Sequence, residues 1–105
     1  MYGFPKTMND FIDLRGASGS VYRFRRAANP DQLPAEGGNF AYVKYVEGKP
    51  EVIHLSAGET LHQARDDWSE AVATRGAEAI FFRLNISSQQ RLAEHDDLTI
   101  ADAGA

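Results

Sequence analysis

Histidines and carboxylates are the side chains of this sequence best suited to acid–base or metal chemistry. His54 and His95 lie far apart in the sequence, and Glu94 directly precedes His95. Imidazole and carboxylate groups ligate metal ions and exchange protons near neutral pH. If the fold brings the two histidines together with Glu94 or Glu59, they would form a metal site or an acid–base pair. The alternative is that both are hydrogen-bonded to backbone groups, while His62 is predicted to be solvated.

A second candidate group is the basic stretch Arg23, Arg25 and Arg26, which is interleaved with Tyr22 and Phe24. Guanidinium groups contact phosphates and aromatic rings stack on bases, so the stretch is a candidate nucleic-acid-binding surface. The competing interpretation follows from the alternation of a β-strand. It makes the arginines a solvated face and places the two aromatic rings in the core.

The charge distribution limits this second hypothesis. The chain has 105 residues and a formal net charge of −4. Residues 1–30 carry five basic and two acidic side chains, a net of +3, whereas the rest of the chain carries six basic and thirteen acidic ones, a net of −7. A polyanion is therefore attracted to the first third of the chain and repelled by the remainder.

Length and composition restrict the class of protein. A chain of this size makes one domain, and 43% hydrophobic residues are enough for a modest core. The absence of cysteine excludes disulfide scaffolds and thiolate metal sites. No run approaches the roughly 18 apolar residues of a membrane-spanning helix. Because the N-terminus lacks the apolar core of a signal peptide, we expect a cytoplasmic protein without membrane partners.

Two β-hairpins are predicted in the first half of the chain. Residues 11–15 and 21–26 read as strands joined by a turn rich in glycine and serine, and residues 27–38 read as an irregular loop rich in proline and glycine. Residues 39–46 and 52–55 are rich in β-branched and aromatic residues, which favours a second hairpin.

A helix is predicted to begin at Ser56, because Ser56 and Glu59 have the spacing of a capping box. Apolar residues then recur at helical spacing, and Gly76 is predicted to end the helix. Trp68 lies on this helix, where it serves either as a core residue or as the anchor of a partner interface.

The remaining elements are one strand and one helix. Residues 79–84 form a short apolar run typical of a central strand. Ser87 and Gln90 have the spacing of a second capping box, which predicts a helix to about Ile100. The element order is therefore β-β, loop, β-β-α-β-α, and it predicts an α+β fold with one small sheet covered by two helices.

The predicted domain organisation has three parts. Residues 1–9 are predicted to be a flexible N-terminal arm and residues 10–100 a single domain. Residues 101–105 are predicted to be a frayed tail.

Several short segments follow one another in the order of a known family. They are residues 14–19 with 22–24, then 37–42, 52–56, 76–80, and finally Asn85 with 91–98. Over residues 10–98 the sequence resembles the GIY-YIG nuclease superfamily, in particular small bacterial stand-alone members with an extra N-terminal hairpin. The resemblance implies a β-β-α-β-α core behind that hairpin.

The resemblance also implies a catalytic set of two tyrosines, an arginine and a glutamate that holds a divalent cation. By position these residues fall on Phe40, His54, Ala64 and His95, none of which is the family's residue. Arg65 is adjacent to Ala64, but the helical spacing predicts that Ala64 points inward. The implied nuclease site is therefore degenerate.

On the last helix, Glu94 and His95 are likewise adjacent, and one of the two must point inward. A shift of one residue rotates a helical side chain by about 100°. Leu92, His95 and Leu98 have the spacing of one helix face, so His95 rather than Glu94 is predicted to point inward.

The sequence thus supports one principal hypothesis and two alternatives. The principal hypothesis is a non-catalytic GIY-YIG-like binding or interaction domain with a protein or nucleic-acid partner and no cofactor. One alternative is a divergent metal-dependent nuclease or hydrolase that uses His54, His95 and Glu94 with Mg²⁺ or Mn²⁺. The other is nucleic-acid binding without cleavage through the arginines of residues 23–26. The oligomeric state stays open.

Overall fold

Two β-hairpins and one inserted strand form the sheet of this protein. The computed structural model describes residues 10–103. All neighbouring strands are antiparallel, and their order across the sheet is β1-β2-β5-β3-β4. The predicted α+β fold is confirmed, as is the central position of β5. In chain order, the elements are β1 (Phe11–Arg15), β2 (Val21–Arg26), β3 (Gly38–Val46), β4 (Lys49–Gly58), α1 (Trp68–Arg75), β5 (Ala79–Leu84) and α2 (Ser88–Ala103).

The turn between β3 and β4 is tighter than predicted. It contains two residues, Glu47 with φ 53° and Gly48 with φ 81°. Two consecutive residues with positive φ match the twist of the flanking strands. Lys49 and Pro50, which the sequence places in the turn, belong to β4 instead.

The predicted helix start at Ser56 is wrong, because β4 continues to Gly58. Ser56 pairs with Phe40 and Gly58 pairs with Gly38, so the ladder uses the backbone groups that a helix would have needed. Pairing along a long strand outweighs the local capping signal. The first helical turn begins after Thr60, whose hydroxyl accepts a hydrogen bond from the His62 backbone N–H at 3.2 Å.

The predicted continuous helix is divided into a 3₁₀ helix, Leu61–Arg65, and α1. The Tyr42 hydroxyl donates to the Ala64 carbonyl at 2.6 Å. In a continuous α-helix that carbonyl would accept from the backbone N–H of Trp68. The indole of Trp68 packs edge-on against Tyr42 with ring centroids 5.3 Å apart, which favours the core role for this residue. Gly76 ends α1 in the left-handed conformation, as predicted.

The two faces of the sheet bury separate apolar clusters. We call the side covered by α1 and the 3₁₀ helix the α1 face, and the side covered by α2 the α2 face. The buried cluster on the α1 face includes Phe40, Tyr42, Leu61, Ala64, Ala71 and Ile80. The buried cluster on the α2 face consists of Phe24, Ala41, Val43, Ala79, Phe81 and Leu98.

The last helix begins as predicted and ends later than predicted. The Gln90 backbone N–H donates to the Ser87 hydroxyl at 3.3 Å, which confirms Ser87 as the cap. The Gln90 side chain binds Glu94 instead of closing the capping box. Residues 101–103 continue α2 rather than fraying, whereas the predicted arm at residues 1–9 and the last two residues lie outside the described chain. None of the helices within residues 10–103 has the length and apolar character needed to cross a bilayer.

Candidate functional site

Three of the four positions implied by the nuclease resemblance share the α1 face. His54 lies opposite Tyr42 in the β3–β4 ladder, and its ring centroid is 6.3 Å from that of Phe40. Phe40 is 5% exposed and Ala64 is fully buried beneath the 3₁₀ helix. Of these three, His54 alone therefore offers a reactive group to a ligand.

Arg65 lies at the surface, as the helical spacing predicts. Its Nη1 is 3.7 Å from Asp31 Oδ1, and its Nε donates to the His62 carbonyl at 3.4 Å. The inward orientation of Ala64 is thus confirmed, and Arg65 does not replace the family arginine at that position.

The prediction that His95 points inward is wrong. Glu94 is 7% exposed, His95 is half-buried and Leu92 is 56% exposed. The buried stripe of α2 consists of Arg91, Glu94 and Leu98, spaced by three and four residues. The sheet offers polar partners beneath this stripe, so a carboxylate is held there in place of the imidazole.

Glu94 is the centre of a buried polar network. Its Oε1 accepts from Arg83 Nε at 2.8 Å and from Asn85 Nδ2 at 2.9 Å, and its Oε2 accepts from Gln90 Nε2 at 3.0 Å. Asn85 Nδ2 also donates to Asn39 Oδ1 at 3.0 Å. Both carboxylate oxygens are therefore engaged, which is the pattern of a structural network that joins α2 to the sheet.

The sequence reasoning missed most of this network. The partners lie on different elements of the chain: Asn39 and Asn85 are 46 residues apart, and Glu94 is 11 residues from Arg83 and 9 from Asn85. One signal was available, because Arg83 occupies an inward position of an otherwise apolar strand. A charged residue there requires a buried partner.

The candidate metal ligands His54, His95 and Glu94 are not gathered at one point. His54 is on the α1 face, whereas His95 and Glu94 are on the helix that covers the opposite face. Within residues 10–103, no three histidine, aspartate or glutamate side chains form a group able to hold a metal ion.

His54 lines a small pocket of ≈ 130 Å³ between β4 and α1. Burial lowers the pKa of His54 below its usual value of 6.5, and the guanidinium of Arg75 lowers it further. The Arg75 side chain also donates to the Ile53 carbonyl on the outer strand. The pocket thus presents a largely neutral imidazole at physiological pH. Its lining residues are Tyr42, His54, Asp67, Glu70, Ala71 and Arg75.

An arginine-rich surface lies on the outward side of the β1–β2 hairpin. We call it the arginine face, and every one of its side chains is exposed. Arg23 pairs with Asp13 at 2.9 Å and stacks over the Phe11 ring, with its Cζ 5.4 Å from the ring centroid. The face joins three guanidinium groups to one carboxylate. Its members are Phe11, Asp13, Arg15, Val21, Arg23 and Arg25.

Arg26 does not belong to the arginine face. It pairs with Phe81, whereas Arg25 pairs with Phe82, so the two arginines point to opposite sides of the sheet. The Arg26 Nε is buried without a hydrogen-bond partner among the described residues. Arg15 is the third arginine of the exposed surface, as the alternation of β1 allows, in place of the Arg26 that the sequence predicts there.

In searches against known proteins, no protein-family model, no curated protein and no solved structure matches this chain.

Proposed function

We propose that this domain is a non-catalytic binding module that takes single-stranded nucleic acid on the arginine face. One observation carries the proposal. Arg15, Arg23 and Arg25 stand on a single exposed sheet surface beside Phe11, which is 47% exposed, and Asp13 is the one carboxylate among them. In a chain of net charge −4, this local excess of positive charge attracts a polyanion.

The individual contacts suit a flexible strand. Arg25 forms no ion pair with residues 10–103, so its guanidinium is available to a phosphate. The Arg23–Asp13 pair is weak because the side chains are 65% and 47% exposed, and a phosphate can replace the carboxylate. The Phe11 ring offers a surface on which an unpaired base stacks. A duplex keeps its bases stacked internally and would gain less from this ring.

The non-catalytic half of the proposal rests on the degenerate positions. Both oxygens of Glu94 are engaged by neighbouring side chains, and Phe40 and Ala64 bring no hydroxyl or guanidinium. Metal-dependent cleavage needs an open carboxylate and an activated water. The resemblance to GIY-YIG nucleases stays a prediction, and a nucleic-acid ligand and a cytoplasmic location are both compatible with it.

The test is fluorescence anisotropy with labelled single-stranded DNA, single-stranded RNA and duplex DNA at low salt with Mg²⁺ present. We expect saturable binding that weakens with salt and favours the single strands. The Arg23→Ala/Arg25→Ala variant should weaken binding by at least about tenfold. It should also reduce the slope of log K against log salt by about 1.4, the value for two lost phosphate contacts on a single strand.

A matched control separates the arginine face from net charge. Lys49→Ala/Arg65→Ala also removes two positive charges, but from exposed positions outside the β1–β2 hairpin. This variant should bind like the parent protein. Equal weakening in both variants would show that binding follows overall charge and not this surface. Absence of binding at tens of micromolar protein would favour a protein partner instead, and cleavage of the labelled strands would contradict the non-catalytic assignment.

A further inference from the structure

Arg91 is a buried cation without a counter-charge among the described residues. It is 5% exposed, and none of the ion pairs within residues 10–103 includes it. Its guanidinium donates from Nη1 to the carbonyls of Asn85 at 2.9 Å and Ile86 at 3.2 Å. Neutral carbonyls compensate part of the desolvation cost, but a buried charge is ordinarily paired with an opposite charge.

Arg91 also lines an open groove with a volume of ≈ 730 Å³. The groove runs between the end of β4 and the first turn of α2. Two glycines make room for polar side chains of the groove wall. A Cβ on Gly37 would collide with Arg91 Nη1, and a Cβ on Gly58 would collide with Gln63 Oε1. The polar side chains on the walls are Glu59, Thr60, Gln63, Ser88 and Arg91.

The first turn of α2 adds further positive potential to the groove. Ser88 is its first residue and lines the groove, and the Ser87 hydroxyl caps the N–H of Gln90. The backbone N–H groups of Ser88 and Gln89 have no partner within the helix, because the first N–H groups of an α-helix never do. The positive end of the helix dipole lies at the same place.

We infer that this groove binds a phosphate group, as a phosphomonoester or a nucleotide. Nη1 of Arg91 is occupied by carbonyls, which leaves the other guanidinium nitrogens for a ligand, and a guanidinium recognises phosphate in a planar, two-point manner. The hydroxyls of Thr60 and Ser88 and the amide of Gln63 supply neutral donors around it. Glu59 is the opposing charge on these walls, and it is exposed, so water screens its repulsion.

This site is independent of the arginine face. Arg91 is on α2 beside β4, at one edge of the sheet, whereas the arginine face is on β1 and β2 at the other edge. If nucleic acid does not bind at Arg23 and Arg25, the phosphate proposal is unaffected. If phosphate does not bind in the groove, the nucleic-acid proposal is likewise unaffected.

The test is an NMR titration of the ¹⁵N-labelled protein with inorganic phosphate, at constant ionic strength set with chloride. We expect saturable shifts of the Ser88 and Gln89 amides and of the Arg91 side chain. A second titration with a nucleoside 5′-monophosphate distinguishes the two sources. Tighter binding than inorganic phosphate by about tenfold or more assigns a nucleotide, and equal binding assigns the phosphate group alone.

Arg91→Gln removes the central donor of the site, but it also removes a buried side chain that the fold needs. A second variant is therefore the deciding test. Ser88→Glu places a carboxylate in the groove at a helix position where a negative charge stabilises the helix. It should abolish phosphate binding while the protein stays folded. Ala93→Glu adds the same charge at an exposed position of α2 outside the groove and should keep binding within about threefold.

Three results would overturn the inference. The first is the absence of shifts at Ser88 and Gln89 at millimolar phosphate. The second is an equal loss of binding in Ser88→Glu and Ala93→Glu, which would show a response to charge alone. The third is a set of shifts confined to the β1–β2 hairpin, which would move the anion to the arginine face.

Discussion

The Tyr22 hydroxyl donates a 2.8 Å hydrogen bond to Asp97 Oδ2 and thereby joins β2 to α2 across 75 residues of sequence. Asp97 also accepts from the Ser18 backbone N–H at 2.8 Å and from the Ser18 hydroxyl at 2.7 Å. Gly16 is required at this junction, because a Cβ there would overlap the Asp97 carboxylate. One carboxylate on the last helix thus holds the turn of the first hairpin.

Replacement of that carboxylate should loosen the hairpin in a pH-dependent way. Hydrogen bonds from Ser18, and then from Tyr22, hold the pKa of Asp97 below its usual 3.8. The stabilisation from Asp97 is therefore present above pH 3.8 and is lost as the pH falls through the lowered folded pKa. Asp97→Asn should unfold more easily in urea near neutrality and lose this part of the acid dependence. Asp102→Asn, an exposed carboxylate on the same helix, should behave like the parent protein.

The Glu94 network predicts a larger stability effect than any surface pair. Glu94→Gln removes the charge that balances Arg83. It also turns one of the two acceptor oxygens into a donor, which then faces either the Gln90 amide or the donors of Arg83 and Asn85. Urea unfolding should show a loss of about 1–3 kcal/mol. The neighbouring exposed variant Asp96→Asn should change the free energy of unfolding by less than about 0.5 kcal/mol. Equal effects at both positions would contradict the buried role of Glu94.

His54 should make the protein less stable in mild acid. Because burial, and then Arg75, lower its pKa, the folded state binds fewer protons than the unfolded state just below pH 6.5. Stability therefore falls as the pH drops from 6.5 towards the lowered folded pKa. His54→Gln should flatten this part of the curve measured by urea unfolding. An NMR titration of the imidazole should show a higher pKa in Arg75→Gln, and an unchanged pKa there would remove Arg75 as a cause.

Gly76 offers a clean measurement of backbone strain. Its φ is +75°, and a Cβ built on it meets no heavy atom within 4 Å. Gly76→Ala should therefore cost about 1 kcal/mol from the left-handed conformation alone, without a packing penalty. Gly76→Asn should cost less, because asparagine tolerates this conformation better. An alanine variant as stable as the parent would show that α1 can end in another way.

Local sequence patterns predicted correctly those elements in which strand pairing and packing favour the same structure as the local residues. The alternation of residues 21–26 places Tyr22 and Phe24 inward and Arg23 and Arg25 outward, and the structure agrees. The capping signal at Ser56 failed because residues 56–58 have ladder partners on β3 that no local window contains. Short signals are reliable where tertiary pairing does not compete with them.

The site was harder to predict for a related reason. Helical spacing groups Leu92, His95 and Leu98 on one face, whereas the buried stripe contains Arg91, Glu94 and Leu98. A buried ionised residue has no periodic signature of its own, and its position is set by partners elsewhere in the chain. Asn39 illustrates the point, since its amide donates to the Arg91 carbonyl 52 residues away.

The position of β5 between β2 and β3 constrains the order of assembly during synthesis. Both hairpins leave the ribosome before residues 79–84, yet they share no ladder with each other. A two-stranded hairpin is at best marginally stable in water. Each hairpin therefore stays only loosely structured until β5 has emerged. Formation of the complete sheet therefore depends on β5, the last strand to be synthesised. A nascent chain truncated before residue 79 should remain sensitive to protease along its whole length, and one that extends past residue 103 should acquire protection in a single step.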